Sequence, residues 1–293
     1  MSKLRGSETA PNDVLGEVLA IDVGSSRVKL GHFAAEGSCT SDRPASALPI
    51  AASKFPEPTE SLSLAHGRDL SGTALIEFEE WIEENFAVRT QCLLASVQPI
   101  VAAKLMHVFE KHGWSAPRQL GWEDLPLEVR VEQPPRVGID RLLNAVAANC
   151  LRDPEQPTIV VDLGTAGTVD LVAADGAFEG GAILPGMSLW AQALHSGTSS
   201  LPEFDVAALQ EPVAAVGKST DGAIAAGLFW GTVGAIGELI ERISRQCQGA
   251  PQLFVTGGAA LHIVKHLSVA GVPARHVPTM VLSAIRLVGE QLR

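Results

Sequence analysis

Two short stretches pair an aspartate with a glycine turn and a run of small hydroxyl residues: "IDVGSS", Ile21 to Ser26, and "VDLGTAGT", Val161 to Thr168. In each, the aspartate (Asp22, Asp162) ends an apolar strand pattern that otherwise reads as core. Backbone N–H groups at such a turn can converge on an anion, and the carboxylate can hold Mg²⁺ or a water beside it. Glycine lets the backbone approach a ligand, and serine or threonine adds donors without bulk. A single copy would serve equally well as an Asx-type turn that satisfies its own backbone. Two copies, one opening each half of the chain, favour a pair of loops facing each other across a cleft and gripping the phosphates of one nucleotide. Neither loop is a Walker loop, since GxxxxGK[ST] does not occur, and no GxGxxG follows the first strand.

A third stretch, "GIDR" (Gly138 to Arg141), puts a carboxylate at the start of a helical pattern with a guanidinium beside it. Transfer of a phosphoryl group to an alcohol needs a carboxylate to take the proton, and Asp140 suits that task. Arg141 suits a carboxylate or phosphate partner. The alternative is that Asp140 caps the helix and Arg141 lies on a solvated face.

These residues must be positioned by an alternation of strands and helices, which points to an α/β layer fold. "EVLAIDVG" and "RVKLGHFAA" form a hairpin about the first turn. Pro44 to Gly72 reads as loop with room for a short strand. "GTALIEFEEWIEENF" has helical spacing, its acidic run being the wet face; "QCLLASV" is a buried strand; "PIVAAKLMHVFEKHG" opens with proline and closes with glycine as helices do. "LPLEVRVEQPPRVG" contains a period-two strand and then the Pro134-Pro135 break, where one domain hands over to the next. "GIDRLLNAVAANCLRD" is a helix before the second hairpin. "FEGGAILPGMSLWAQALHSG" gives a glycine turn, a short strand and a helix, "STDGAIAAGLFWGTVGAIGELIERISRQC" a long apolar helix, and "PQLFVTGGAALHIVKHL" a strand, glycine turn and helix. The second half rebuilds the first, so two domains are expected, 17–136 and 137–293, after a loose tail over 1–16.

A length of 293 residues accommodates two cores. The formal net charge of −11, with basic residues scattered singly, argues against a nucleic-acid binder. Cys39, Cys92, Cys150 and Cys247 lie far apart, indicating neither a disulfide framework nor a zinc site. The N-terminus lacks the apolar core of a signal peptide and no apolar stretch reads as a membrane span, which places the protein in the cytoplasm.

Taken in order, "IDVGSS", "GIDR", "VDLGTAGT", "GGAILPG", "KST..AIAAGLFWGTVGAI" and "VTGGAA" resemble type III pantothenate kinases, of the acetate and sugar kinase, heat-shock chaperone and actin superfamily. The resemblance runs from about Val18 to Arg293. It implies two ribonuclease-H-like domains with mixed sheets flanked by helices, a nucleotide cleft between them, and ATP-dependent phosphorylation of pantothenate in coenzyme A synthesis. It further implies Mg²⁺, K⁺ or NH₄⁺, and a homodimer. On this resemblance Asp22, Val23, Gly24, Ser25, Ser26 and Lys29 fall on the first phosphate loop, with Asp22 near Mg²⁺. Gly138, Ile139, Asp140 and Arg141 fall on the pantothenate-binding G-x-D-R, with Asp140 the base, and Thr220 on a motif that touches pantothenate. Asp162 falls on a monovalent-cation site, Gly164, Thr165 and Ala166 on the second phosphate loop, and Gly257 and Gly258 on a turn near the adenosine.

Three departures stand out. Ser25 replaces the asparagine of D-x-G-N-[ST], Gly167 stands where threonine is usual, and a family tyrosine is replaced near Val131 in a chain with no tyrosine at all. They keep two alternatives open: a kinase of another small alcohol, and a non-catalytic regulatory protein of the same fold.

Overall fold

The computed structural model describes residues 16–35, 55–67, 69–86, 90–209, 211–269 and 271–292. Residues 1–15 of the expected tail and residues 36–54, which include Cys39 and the first part of the low-period segment, lie outside them.

The first sheet has the order β3-β2-β1-β4-β5 and is built from β1 (Val18–Val23), β2 (Arg27–Phe33), β3 (Glu60–Ala65), β4 (Gln91–Ser96) and β5 (Arg118–Gln119). β1 pairs antiparallel with β2 and parallel with β4. α1 (Thr73–Asn85) and α2 (Pro99–His112) cover one face, and α2 ends on the left-handed Gly113 as expected. The second sheet repeats the plan. β6 (Thr158–Leu163) pairs antiparallel with β7 (Ala166–Val172) and parallel with β9 (Gln252–Thr256), and β8 (Phe178–Pro185) takes the edge beside β7. The short pair β10 (Ser268–Val269) and β11 (Val272–Pro273) stands apart, and β12 (Arg275–His276) completes the order β12-β9-β6-β7-β8. The α/β architecture with two mixed sheets is as expected.

Between the sheets lie α3 (Ile139–Leu151) and the last helix, α7 (Met280–Gln291), packed on each other, α7 against β1, β2 and β4 and α3 against β4, β6 and β7. Side chains alternate along a strand, so Val18 and Ala20 join this shared layer while Leu19, Ile21 and Val23 join the outer one. Asp22 therefore shares the face turned towards α3. By the same parity Val160 joins the shared layer and Ile159, Val161 and Leu163 the outer one, which turns Asp162 inwards. Asp170 falls on the inner face with Val172. Both strand-end aspartates thus point to one helix layer, which is why charge interrupts these apolar strands.

The structure departs from the sequence reading at several points. Residues 126–132 form no named strand, only the bridge Val129 to Phe178, because Arg130 ties the segment to Glu128, Asp175 and Glu179 through ion pairs. Gly180 and Gly181 lie inside β8 and form no turn ahead of it. α6 (Ala260–Ile263) is a single turn. α4 (Met187–Gly197) and α5 (Thr220–Ser244) follow as expected, but α5 is long and apolar enough to cross a membrane by length and composition. Phe229, Ile236 and Ile240 of α5 instead fill the core against β6, β7 and β9.

Candidate active site

The first loop closes with the Gly24 N–H donating to the Arg27 carbonyl at 2.9 Å. His66, just past β3, braces it: its backbone N–H donates to the Ser26 carbonyl at 2.9 Å, and its ring Nε2 lies 3.0 Å from the Gly24 carbonyl. The second loop closes with Gly164 N–H to the Ala166 carbonyl at 3.1 Å. Gly186 donates to the Thr165 carbonyl, and a Cβ on Gly186 would lie 2.3 Å from the Gly164 carbonyl oxygen. The two loops touch, Ser26 Oγ lying 2.6 Å from Thr165 Oγ1. Ser25, Ser26, Gly164 and Ala166 are exposed and Gly24 and Thr165 half-buried, while Val23 is buried at the end of β1.

A third turn joins them from β9. Gly257 takes φ +95°, and an added Cβ would sit 2.5 Å from the Leu163 backbone nitrogen and 2.6 Å from Asp162 Oδ1. Ala259 N–H donates to the Leu163 carbonyl at 3.1 Å, and Gly258 beside it is exposed. Gly257→Ala is therefore expected to lower stability by about 1–3 kcal/mol, from the left-handed backbone and the overpacking together. Thermal or urea melts check this; an unchanged melt would mean that the turn moves freely away from β6.

Four carboxylates gather behind the loops. Asp22 is 5% exposed. Burial pushes its carboxyl up from the ordinary 3.8 to about 6; Lys29, across the ladder at 3.7 Å, opposes this, and the charges of Asp140 and Asp162 add to it. Burial likewise raises Asp140, with the charge of Asp162 next, against the Arg141 N–H that donates to its Oδ1 at 2.9 Å. Asp170, which sequence reasoning missed, is 2% exposed and raised by burial despite its bonds to Arg141. Asn144, also missed, donates to Asp162 Oδ2 at 2.9 Å. One face of α3 explains the grouping: Asp140 and Asn144 are one turn apart.

Gly138 is the N-cap of α3, so Asp140 is not. The Asp140 carboxylate accepts from the backbone N–H of its neighbour Arg141 and, among the described residues, makes no hydrogen bond to another side chain. A Cβ on Gly138 would lie 2.5 Å from Asp140 Oδ1, and Ile139 anchors the turn in the core. Arg141 does not lie on a solvated face: it makes paired bonds with Asp170, Nε donating at 3.1 and 3.2 Å and Nη2 closing the pair. Thr220 is not brought to the cluster by any hydrogen bond among the described residues. It is exposed on the first turn of α5, and the cap of that helix is Ser219, whose Oγ accepts from Gly222. A pocket of about 570 Å³ elsewhere, lined by Pro157, Asp175, Gln246 and Cys247, contains no residue of the cluster. Convergent chemistry favours the carboxylates over that concavity.

Among the described residues no three His, Cys, Asp or Glu side chains converge as a ready-made metal cage. Mg²⁺ in phosphate sites commonly uses one or two carboxylates, with phosphate oxygens and water completing the shell. Neighbouring carboxylates, buried at Asp22 and Asp170 and half-buried at Asp140 and Asp162, behind two glycine loops fit that pattern. The arrangement can hold phosphates at the loops and accept a proton at Asp140.

A family model described as type III pantothenate kinase matches residues 18–242. The chain is 38% identical over 170 residues to a type III pantothenate kinase of Phenylobacterium zucineum, covering 58% of this chain and 64% of that protein. It is 35% identical over 179 residues to one of Persephonella marina, covering 61% and 68% respectively. The chain spans a little under two thirds of the length of the first curated relatives it matches. Among solved structures, the activator of 2-hydroxyisocaproyl-CoA dehydratase from Clostridium difficile, with bound ADPNP, superposes with a TM-score of 0.52 at 13% identity, over 94% of this chain and 95% of that one. That likeness shows the fold.

Proposed function

The chain belongs to the type III pantothenate kinase family, and on that premise we propose that it transfers the γ-phosphoryl group of ATP to pantothenate, giving 4′-phosphopantothenate for coenzyme A synthesis. The observation that carries this reading is the placement of Asp140, at the first turn of the central helix and within electrostatic reach of both strand-end aspartates. In this reading the halves 17–136 and 137–293 present their glycine loops to the two sides of the nucleotide. Backbone N–H groups of the loops and the hydroxyls of Ser26 and Thr165 bind phosphate oxygens once their mutual contact opens. Asp140 takes the proton of the acceptor hydroxyl, and Arg141 contacts the acceptor. Asp22 would hold Mg²⁺, which when bound neutralises phosphate charge. Lys29 adds positive charge beside it, and Gly257 and Gly258 leave room for the adenosine. Thr220 reaches the acceptor across a homodimer in the cytoplasm. Gly167 packs close to Leu184, 3.2 Å from an added Cβ, so the usual threonine would need Leu184 to give way. ADP release measured with pantothenate and with a panel of small alcohols tests the reading; stimulation by another alcohol alone would overturn it.

Asp162 offers one oxygen to Asn144 and turns the other to the Gly257 turn. We infer that this second oxygen seats K⁺ or NH₄⁺. Wild-type rates should rise with K⁺ over Na⁺, and Asp162→Asn should flatten that response while keeping the hairpin, because asparagine tolerates the same turn. Titrating K⁺ against initial rate decides it, and identical curves for the two proteins would return Asp162 to a purely structural role.

A further inference from the structure

We propose that Asp170 is a positioning residue for acceptor recognition, fixing which edge of Arg141 faces the acceptor; this rests on the kinase reading above. A guanidinium carries five N–H donors in a rigid fork. Arg141 gives Nε and Nη2 to Asp170, and its Nη1 makes no hydrogen bond among the described residues. The guanidinium carbon lies over the Phe178 ring, 5.6 Å from its centroid, a cation–π contact that adds to its hold. The strands are shaped around the carboxylate: Asp170 pairs with Gly181 of β8, where a Cβ would lie 2.5 Å from Asp170 Oδ1 and 2.1 Å from the Val169 carbonyl oxygen.

A buried ion pair is a poor way to add stability, since desolvation offsets much of its attraction. Its use here is directional. Arg141 follows Asp140 in the chain, and a guanidinium released from Asp170 would be drawn to that carboxylate and would block the base. Held by Asp170, it turns one donor edge towards the acceptor and presents a charge already balanced. The group it meets is an oxygen acceptor on the substrate, recognised by direction more than by net charge.

The test is a steady-state comparison of wild type, Asp170→Asn, Arg141→Gln and the double variant, with ATP and with whichever acceptor the wild type phosphorylates. Circular dichroism and melting confirm the fold of each. Loss of one charge-assisted hydrogen bond predicts an acceptor KM raised about 10- to 100-fold in Asp170→Asn, with the ATP KM changed by less than about two-fold. Because both residues act through one contact, the double variant should be no worse than Arg141→Gln. An unchanged acceptor KM in a folded Asp170→Asn, a parallel rise in the ATP KM, or effects that multiply in the double variant would each overturn the proposal. If Asp170→Asn does not fold, Asp170→Glu retains the charge and displaces the guanidinium; an unaltered acceptor KM there has the same force. Wild-type turnover of another alcohol in place of pantothenate removes the substrate reading and leaves this one standing on its own ratio. No turnover with any alcohol removes both.

Discussion

Asp140→Asn is expected to remain folded and to lose about 10²- to 10⁴-fold in turnover, the usual contribution of a positioned base. Its carboxylate accepts from the Arg141 backbone N–H, and the amide oxygen of asparagine keeps that bond. Gly138, not Asp140, is the N-cap of α3, so no cap is lost. The substitution also removes one of four neighbouring negative charges, so melting should not fall. In the wild type the raised carboxyl of Asp140 makes activity rise with pH as it deprotonates, and this acid limb should be missing from what turnover remains. A folded variant with near-normal turnover would show that the base lies elsewhere.

Asp22→Asn is expected to stabilise the ligand-free protein while impairing it as an enzyme. Folding raises the Asp22 carboxyl from 3.8 to about 6. Between those values the folded state binds more protons than the unfolded one, so its contribution to stability is fully present below pH 3.8 and is lost as pH rises through about 6. At neutral pH the ionised group then costs up to about 3 kcal/mol, at 1.36 kcal/mol per unit. The variant should therefore melt above wild type at pH 7.5, and the difference should close towards pH 4. Its Mg²⁺ requirement should rise and its rate fall, because the cation loses a carboxylate. Equal melting at both pH values together with unchanged Mg²⁺ dependence would make Asp22 an ordinary turn residue.

The aspartates were legible because each breaks an apolar alternation beside a glycine, and parity alone then turns Asp22 and Asp162 to one layer. The two hairpins, α2 with its proline and glycine ends, and the duplicated plan rest on equally local signals. α7 was missed although Ser283, Arg286 and Glu290 recur at helical spacing; Ser283 and Arg286 are themselves buried, so that stripe is not the wet face by which a surface helix is recognised. Asp170 was hidden as one more alternating strand residue, and only its distant partner Arg141 gives it meaning. The sequence marked Arg141 as suited to a carboxylate or phosphate, but not which carboxylate, because Asp170 lies on another element. Asn144, one turn after Asp140, could have been found from helical spacing, whereas His66 carries no motif and is identified only by its contact with the first loop.

The most direct measurement follows label from γ-labelled ATP into pantothenate, with wild type and Asp140→Asn side by side at saturating Mg²⁺ and K⁺. Labelled 4′-phosphopantothenate formed by the wild type, and reduced at least 10²-fold in the variant, is the result expected. ATP consumed without label reaching pantothenate, or equal transfer by both proteins, would contradict it.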